Sequence, residues 1–192
     1  MFFRYIYETG KHNGIGELLE ILGSIINGFA IPLKKEHLQF LEKALIPLHK
    51  PRSVALYHPQ LSYCISQYVE KDPETICTIL KGLIRFWPWN SSSKQVLFLN
   101  ELEEIMELCR GDQINQIQND LFKLLAACIA SEHFQVAERA LYFWNSEHLC
   151  INVLSQARAP VFLPLVFGPL SQNAQGHWNQ TVEGLAQSVL KM

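Results

Sequence analysis

The stretch Ile15-Gly16-Glu17-Leu18-Leu19-Glu20-Ile21-Leu22-Gly23-Ser24-Ile25-Ile26-Asn27-Gly28-Phe29 decides the fold. Ile15, Leu18, Leu19, Leu22, Ile25, Ile26 and Phe29 recur at steps of three and four, which gathers them into one apolar stripe along a helix. Asn13 offers a side-chain oxygen to cap the start, and Asn27-Gly28 supplies the residues that end helices.

Outward from this stretch the helical period continues almost without a break. It predicts helices from Glu36 to His49, His58 to Lys71, Glu74 to Phe86, Lys94 to Cys109, Gln113 to Ile129, His133 to Glu147, Val161 to Leu170 and Trp178 to Lys191. Between them lie turn signals: Pro51-Arg52-Ser53, Asp72-Pro73, the run from Pro88 to Ser93, Arg110-Gly111-Asp112 and Asn173-Ala174-Gln175-Gly176. The only run that reads as a strand, Val161 to Phe167, is interrupted by Pro164 and flanked by Pro160 and Pro169. A short or kinked buried helix fits it better. Helix starts recur roughly every 20 residues and helix pairs roughly every 40, the spacing of HEAT and armadillo arrays. The expectation is an all-α, HEAT-like helical-repeat solenoid of antiparallel helix pairs, one domain over residues 1–192; a compact helical bundle is the rival.

Composition narrows the function. The 192 residues are 48% hydrophobic and 11% aromatic, enough for a sizeable core. Sixteen Lys and Arg stand against eighteen Asp and Glu, a formal net charge of -2, which supplies no bulk field for nucleic acid or an anionic membrane. Charged residues break every apolar run below the ~20 residues that a spanning helix needs. The five cysteines, at 64, 77, 109, 128 and 150, form no Cys-x-x-Cys pair and read as reduced core thiols. The first residues resemble no secretory leader, so a cytoplasmic or nuclear location is expected.

Catalytic signatures are missing. No Gly-x-Ser-x-Gly elbow occurs, and Gly10, Gly14 and Gly16 follow no strand and contain no Gly-Lys-Ser/Thr. The seven histidines never fall at the four-residue spacing of a helical metal site and read as caps or surface residues, so neither metal nor other cofactor is expected. The run Glu101-Leu102-Glu103-Glu104 reads as a solvated helix face, and Phe86, Trp87 and Trp89, like Phe134, Tyr142, Phe143 and Trp144, as core.

One helix carries a sharper hint. At about 100° per residue the stripe from Ile15 to Phe29 centres between Leu22 and Phe29, which places Leu22 in the core, while Ile21 falls at the stripe's exposed margin. Ile25 lies one turn along the same shoulder, Glu20 points outward, and Lys34 and His37 follow the turn at Pro32. An apolar notch beside two basic-capable groups suits a peptide with an aliphatic anchor and a carboxylate.

The blocks Tyr7-Glu8-Thr9, His12-Asn13-Gly14-Ile15, Glu17 through Ala30, Pro32-Leu33-Lys34, Pro47-Leu48-His49-Lys50, Tyr57 through Leu61, Phe98 through Ile105, Phe134 through Tyr142 and His177-Trp178-Asn179 resemble the B-prime family of regulatory subunits of protein phosphatase 2A, in that family's order. The resemblance implies a non-catalytic solenoid that joins the phosphatase scaffold and catalytic subunits and recruits substrate proteins through short Leu-x-x-Ile-x-Glu peptides. It also implies a peptide groove at Glu20, Ile21, Ile25, Lys34 and His37, with the isoleucines in apolar pockets and Lys34 and His37 in polar contact with the peptide. The family's upstream helix, which completes that groove, would precede Met1, so roughly the N-terminal half of a family member and part of the site are expected to be missing. An aromatic, sticky segment from Phe2 to Tyr7 would then lie where that half would pack. The alternative is a HEAT adaptor that no longer assembles with the phosphatase.

Overall fold

The structure, a computed structural model, describes residues 14–192. The expectations for Asn13 as a cap, for His12 and for the segment from Phe2 to Tyr7 lie outside the described residues. Among those described there is no strand, and ten α-helices joined by short 3-10 turns make the fold all-α. The residue contacts divide the chain into two compact units, one ending at Trp87 and one running from Pro88 to Met192.

In the first unit, α1 (Ile15–Asn27) starts at Gly14, whose φ of 81° lies in the left-handed region that glycine enters without a Cβ clash. It ends where the Gly28 amide bonds back to the carbonyls of Ser24 and Ile25. Its buried face is Ile15, Leu19, Gly23 and Ile26, and it packs on α3 (His58–Lys71). Gly23 permits that packing, since a Cβ there would lie 2.6 Å from the Tyr63 ring. The thiol of Cys64, next along α3, donates to the Leu19 carbonyl at 3.1 Å.

Between them, the single helix expected from Glu36 to His49 is three consecutive forms: α2 (Lys35–Phe40), a π turn over Leu41–Leu45 and a 3-10 turn over Ile46–His49. Pro47 is the reason, because it has no amide to donate and its ring clashes with the carbonyl four residues back. The Tyr57 hydroxyl ties this segment to the start of α3 by donating to the Leu48 carbonyl at 2.8 Å. Asp72 ends α3 and accepts the Glu74 amide at 3.1 Å, and α4 (Ile76–Arg85) follows a 3-10 turn at Pro73–Thr75.

His49 and His58 are buried, against the surface reading of the histidines. Their rings meet edge to face at 6.3 Å, and His49 donates from Nδ1 to the Ile46 carbonyl at 2.8 Å.

The second unit contains α5 (Ser92–Glu107), α6 (Gln118–Ile129), α7 (Phe134–Leu141), α8 (Glu147–Asn152), α9 (Ala159–Gly176) and α10 (Gln180–Lys191). Helix α9 packs on α6 and α10, and α7 on α5, α6 and α10. The helix expected from His133 to Glu147 stops at Leu141 and gives way to a 3-10 turn over Tyr142–Asn145, after which Ser146 caps α8 by accepting the Leu149 amide. Helix α9 is longer than the expected Val161 to Leu170. It runs through Pro164 and Pro169 and absorbs the predicted Asn173 to Gly176 loop into its last turn.

Two interior prolines each remove a backbone bond, and burial of Phe162, Val166, Leu170 and Asn173 along one face offsets that loss. Asn173 also donates to the Ile129 carbonyl at 2.7 Å at the end of α6. Arg139 on α7 bonds Asn100 and Glu103 on α5, and its guanidinium lies 5.7 Å over the Phe143 ring.

Arg158 gathers four acceptors: the Asn152 carbonyl at 2.7 Å, Ser155 Oγ at 3.3 Å, Asn115 Oδ1 at 3.1 Å and the Gly111 carbonyl. Glu101 is buried, so the solvated-face reading fails there, while Glu104 and Glu107 are exposed. Trp87, Phe143 and Trp144 are buried as expected, but Trp89 and Tyr142 stand at the surface.

Candidate functional site

The site is built on α1. Because Ile15, Leu19, Gly23 and Ile26 face α3, the next shoulder of the helix turns outward, leaving Ile21 59% and Ile25 53% exposed. Such exposure of two β-branched aliphatics one turn apart is the informative anomaly, since lone exposed apolar residues are ordinary and contiguous ones mark contacts. Leu18, Leu22 and Phe40 join them to line an open groove of about 410 Å3 with almost wholly apolar walls. Leu22, expected in the core, is half-buried on the groove wall; Leu19 holds the central buried position instead. The wheel gives a stripe, but the position of α3, set by Gly23 against Tyr63, decides which part of the stripe is covered.

Of the five expected site residues, Ile21 and Ile25 line this groove together, and Glu20, Lys34 and His37 stand outside its walls. Glu20 is exposed and accepts a bond from the Gln60 amide at 3.3 Å. Lys34 is exposed at the start of α2, and its backbone amide donates to His37 Nδ1 at 3.4 Å. With Nδ1 accepting that bond, Nε2 is the ring nitrogen left to donate. The His37 ring stacks on Phe29 with centroids 3.9 Å apart, and Phe29 in turn meets Tyr68 edge to face at 6.1 Å. The Tyr68 hydroxyl donates to the His37 carbonyl at 3.0 Å. The turn from Gly28 to Lys34 is thus anchored at both ends, and its Ile31–Pro32 peptide is cis.

Burial dominates the titration of the neighbouring groups. The Cys64 thiol is pushed up to about 12 by burial, and Tyr68 is pushed to about 12, first by burial and then by the nearby Cys64. Neither is an activated nucleophile. Phe40 is the residue that sequence reasoning missed. It comes from a different helix, and only its place just before the π turn at Leu41–Leu45 signals that the backbone is distorted there.

An open apolar groove on the face of an all-helical array is the kind of surface on which peptides and proteins dock. The chain belongs to the B56 family of protein phosphatase 2A regulatory B subunits, whose family model matches residues 1–192. It is 53% identical over 192 residues to the B' alpha isoform of the 57 kDa regulatory component of serine/threonine protein phosphatase 2A from Arabidopsis thaliana, covering all of this chain and 38% of that one. Identity is 51% over 192 residues to the delta isoform of the human 56 kDa regulatory component of the same phosphatase, of which the chain covers 32%. It is 51% over 191 residues to the phosphatase 2A regulatory protein pptr-1 from Caenorhabditis elegans, of which it covers 35%. The chain therefore spans about a third of the length of these relatives, less than the half implied by the resemblance. The family is one of regulatory subunits rather than catalysts. Among the described residues, no helix is long and apolar enough to cross a membrane.

Proposed function

We propose that this chain is a HEAT-like targeting module of protein phosphatase 2A that assembles with the catalytic and scaffold subunits and captures substrate proteins bearing Leu-x-x-Ile-x-Glu segments. The observation that carries the reading is the pair Ile21 and Ile25, exposed side by side on the wall of the α1 groove. An aliphatic anchor of the peptide buries itself against these isoleucines and Phe40. The peptide's glutamate then meets the Lys34 ammonium and the Nε2 proton of His37, a charge-assisted pairing that fixes the direction of the peptide. Glu20, held by the Gln60 side chain, is the fifth residue assigned to the peptide site. The module works in the cytoplasm, the nucleus or both.

Titration of a labelled Leu-x-x-Ile-x-Glu peptide against the chain tests the groove, with a control peptide whose Leu and Ile are replaced by Ala. Saturable binding of the first alone is expected, and equal binding of both overturns the reading. Affinity purification from cells tests the assembly: the phosphatase scaffold and catalytic subunits are expected to co-purify, and loss of both would leave a peptide-binding adaptor outside the phosphatase.

A further inference from the structure

A second groove of the first unit lies on the side of α4. Thr78, Lys81, Gly82 and Arg85 recur at the spacing that places them on one helix face, and Ile46, Pro47 and Lys50 of the neighbouring 3-10 segment oppose them. The space between is about 600 Å3. Ile46, Pro47 and the half-buried Phe86 give it an apolar lining. Gly82 keeps the floor low, because any side chain there would collide with Ile46.

The rim has the opposite character. Lys50, Lys81 and Arg85 stand along it against the single carboxylate of Glu42. The exposed Arg85 guanidinium lies 5.7 Å from the centroid of the Phe86 ring, and both residues line the groove. Three cations around an apolar trough form a local positive field in a chain whose formal net charge is -2.

We infer that this groove docks an acidic peptide segment, whose carboxylates pair with Arg85 and Lys50 while an apolar side chain between them settles over Ile46 and Pro47. Charge complementarity selects the occupant. A nucleic acid needs an extended basic surface that the overall charge does not supply, whereas a short acidic segment needs only the local rim. Arginine supplies the bidentate contact and lysine the point charge.

The test is fluorescence anisotropy of the full chain with a short probe peptide of glutamates around one phenylalanine, lacking any Leu-x-x-Ile-x-Glu sequence. A comparator carries glutamine at every glutamate. The acidic probe is expected to bind at least about tenfold more tightly than the comparator, and added salt should weaken it. Arg85→Gln should cost about tenfold without changing the circular dichroism spectrum, while Ile21→Ser should leave this probe unaffected. Joint Lys50→Glu and Arg85→Glu should abolish binding and create affinity for a lysine version of the probe. Equal binding of the two peptides, binding of neither, or indifference to Arg85→Gln overturns the inference. Self-association of the chain that disappears in Arg85→Gln would assign the groove to a second copy and would also overturn it.

Discussion

The His37 imidazole lies flat on the Phe29 ring, centroids 3.9 Å apart and planes 5° from parallel, while its Nδ1 accepts the Lys34 amide. One side chain therefore closes the turn after α1 with both its ring face and its Nδ1. His37→Ala should remove both contacts, lowering stability by about 1–2 kcal/mol and weakening Leu-x-x-Ile-x-Glu binding. Chemical denaturation and peptide titration on the same variant measure the two effects.

Burial along α1 sets a gradient of mutational cost. Leu19 is 2% exposed, so Leu19→Ala should cost about 2–5 kcal/mol, whereas Ile21→Ala, at an exposed position, should stay within about 0.5 kcal/mol. Leu22→Ala should fall between them. Thermal unfolding ranks the three, and an Ile21→Ala cost equal to that of Leu19→Ala would place Ile21 in the core.

The groove itself is tested by polarity. Ile21→Ser and Ile25→Ser should each weaken the Leu-x-x-Ile-x-Glu peptide by about tenfold or more while the melting temperature holds, because they remove apolar wall without opening the buried face. Isothermal titration beside a thermal scan reads both.

Two helical glycines should respond in opposite directions. Nothing lies within 4 Å of a Cβ built on Gly184 in α10, so Gly184→Ala should stabilise by about 0.5–1 kcal/mol through helix propensity. A Cβ on Gly23 would meet the Tyr63 ring at 2.6 Å, and Gly23→Ala should destabilise by about 1–3 kcal/mol despite the same gain in propensity. Urea unfolding of the two variants gives the signs.

Alkali should weaken the fold through three buried acids. Burial raises the Cys64 and Cys128 thiols from 9.0 to about 12, and burial together with Cys64 raises Tyr68 from 10.0 to about 12. Each holds its proton more tightly folded than unfolded. Their contribution is fully present below the unfolded values and declines as the pH climbs from 9.0 toward about 12. The urea midpoint should fall across that window, and both thiols should resist alkylation in the folded chain at neutral pH.

Much of this was legible in the sequence because apolar period is a local property. Helix α3 spans His58–Lys71 as its pattern predicts, and the same wheel turns Ile21 and Ile25 outward. Tertiary facts were not legible. The exchange of Leu22 for Leu19 at the buried centre depends on how closely Gly23 lets α1 approach Tyr63. Phe40 reaches the groove from another helix, and no periodicity within α1 could announce it. Prolines differ in effect: Pro47 breaks an expected helix into π and 3-10 turns, whereas Pro164 and Pro169 lie inside α9, where a helix was expected but a shorter one.

Arg158 has a consequence for the motions of the second unit. Its guanidinium joins the turn at Gly111 and Asn115 to the end of α8 at Asn152 and to Ser155, segments distant in sequence that share this one cation. Neither segment can move away from the other without releasing the same side chain. Their amides should therefore open as one cooperative event, with the Asn115 and Val153 protons exchanging for deuterium at matched rates, and Arg158→Ala should uncouple them into two independent loops that fray on their own schedules.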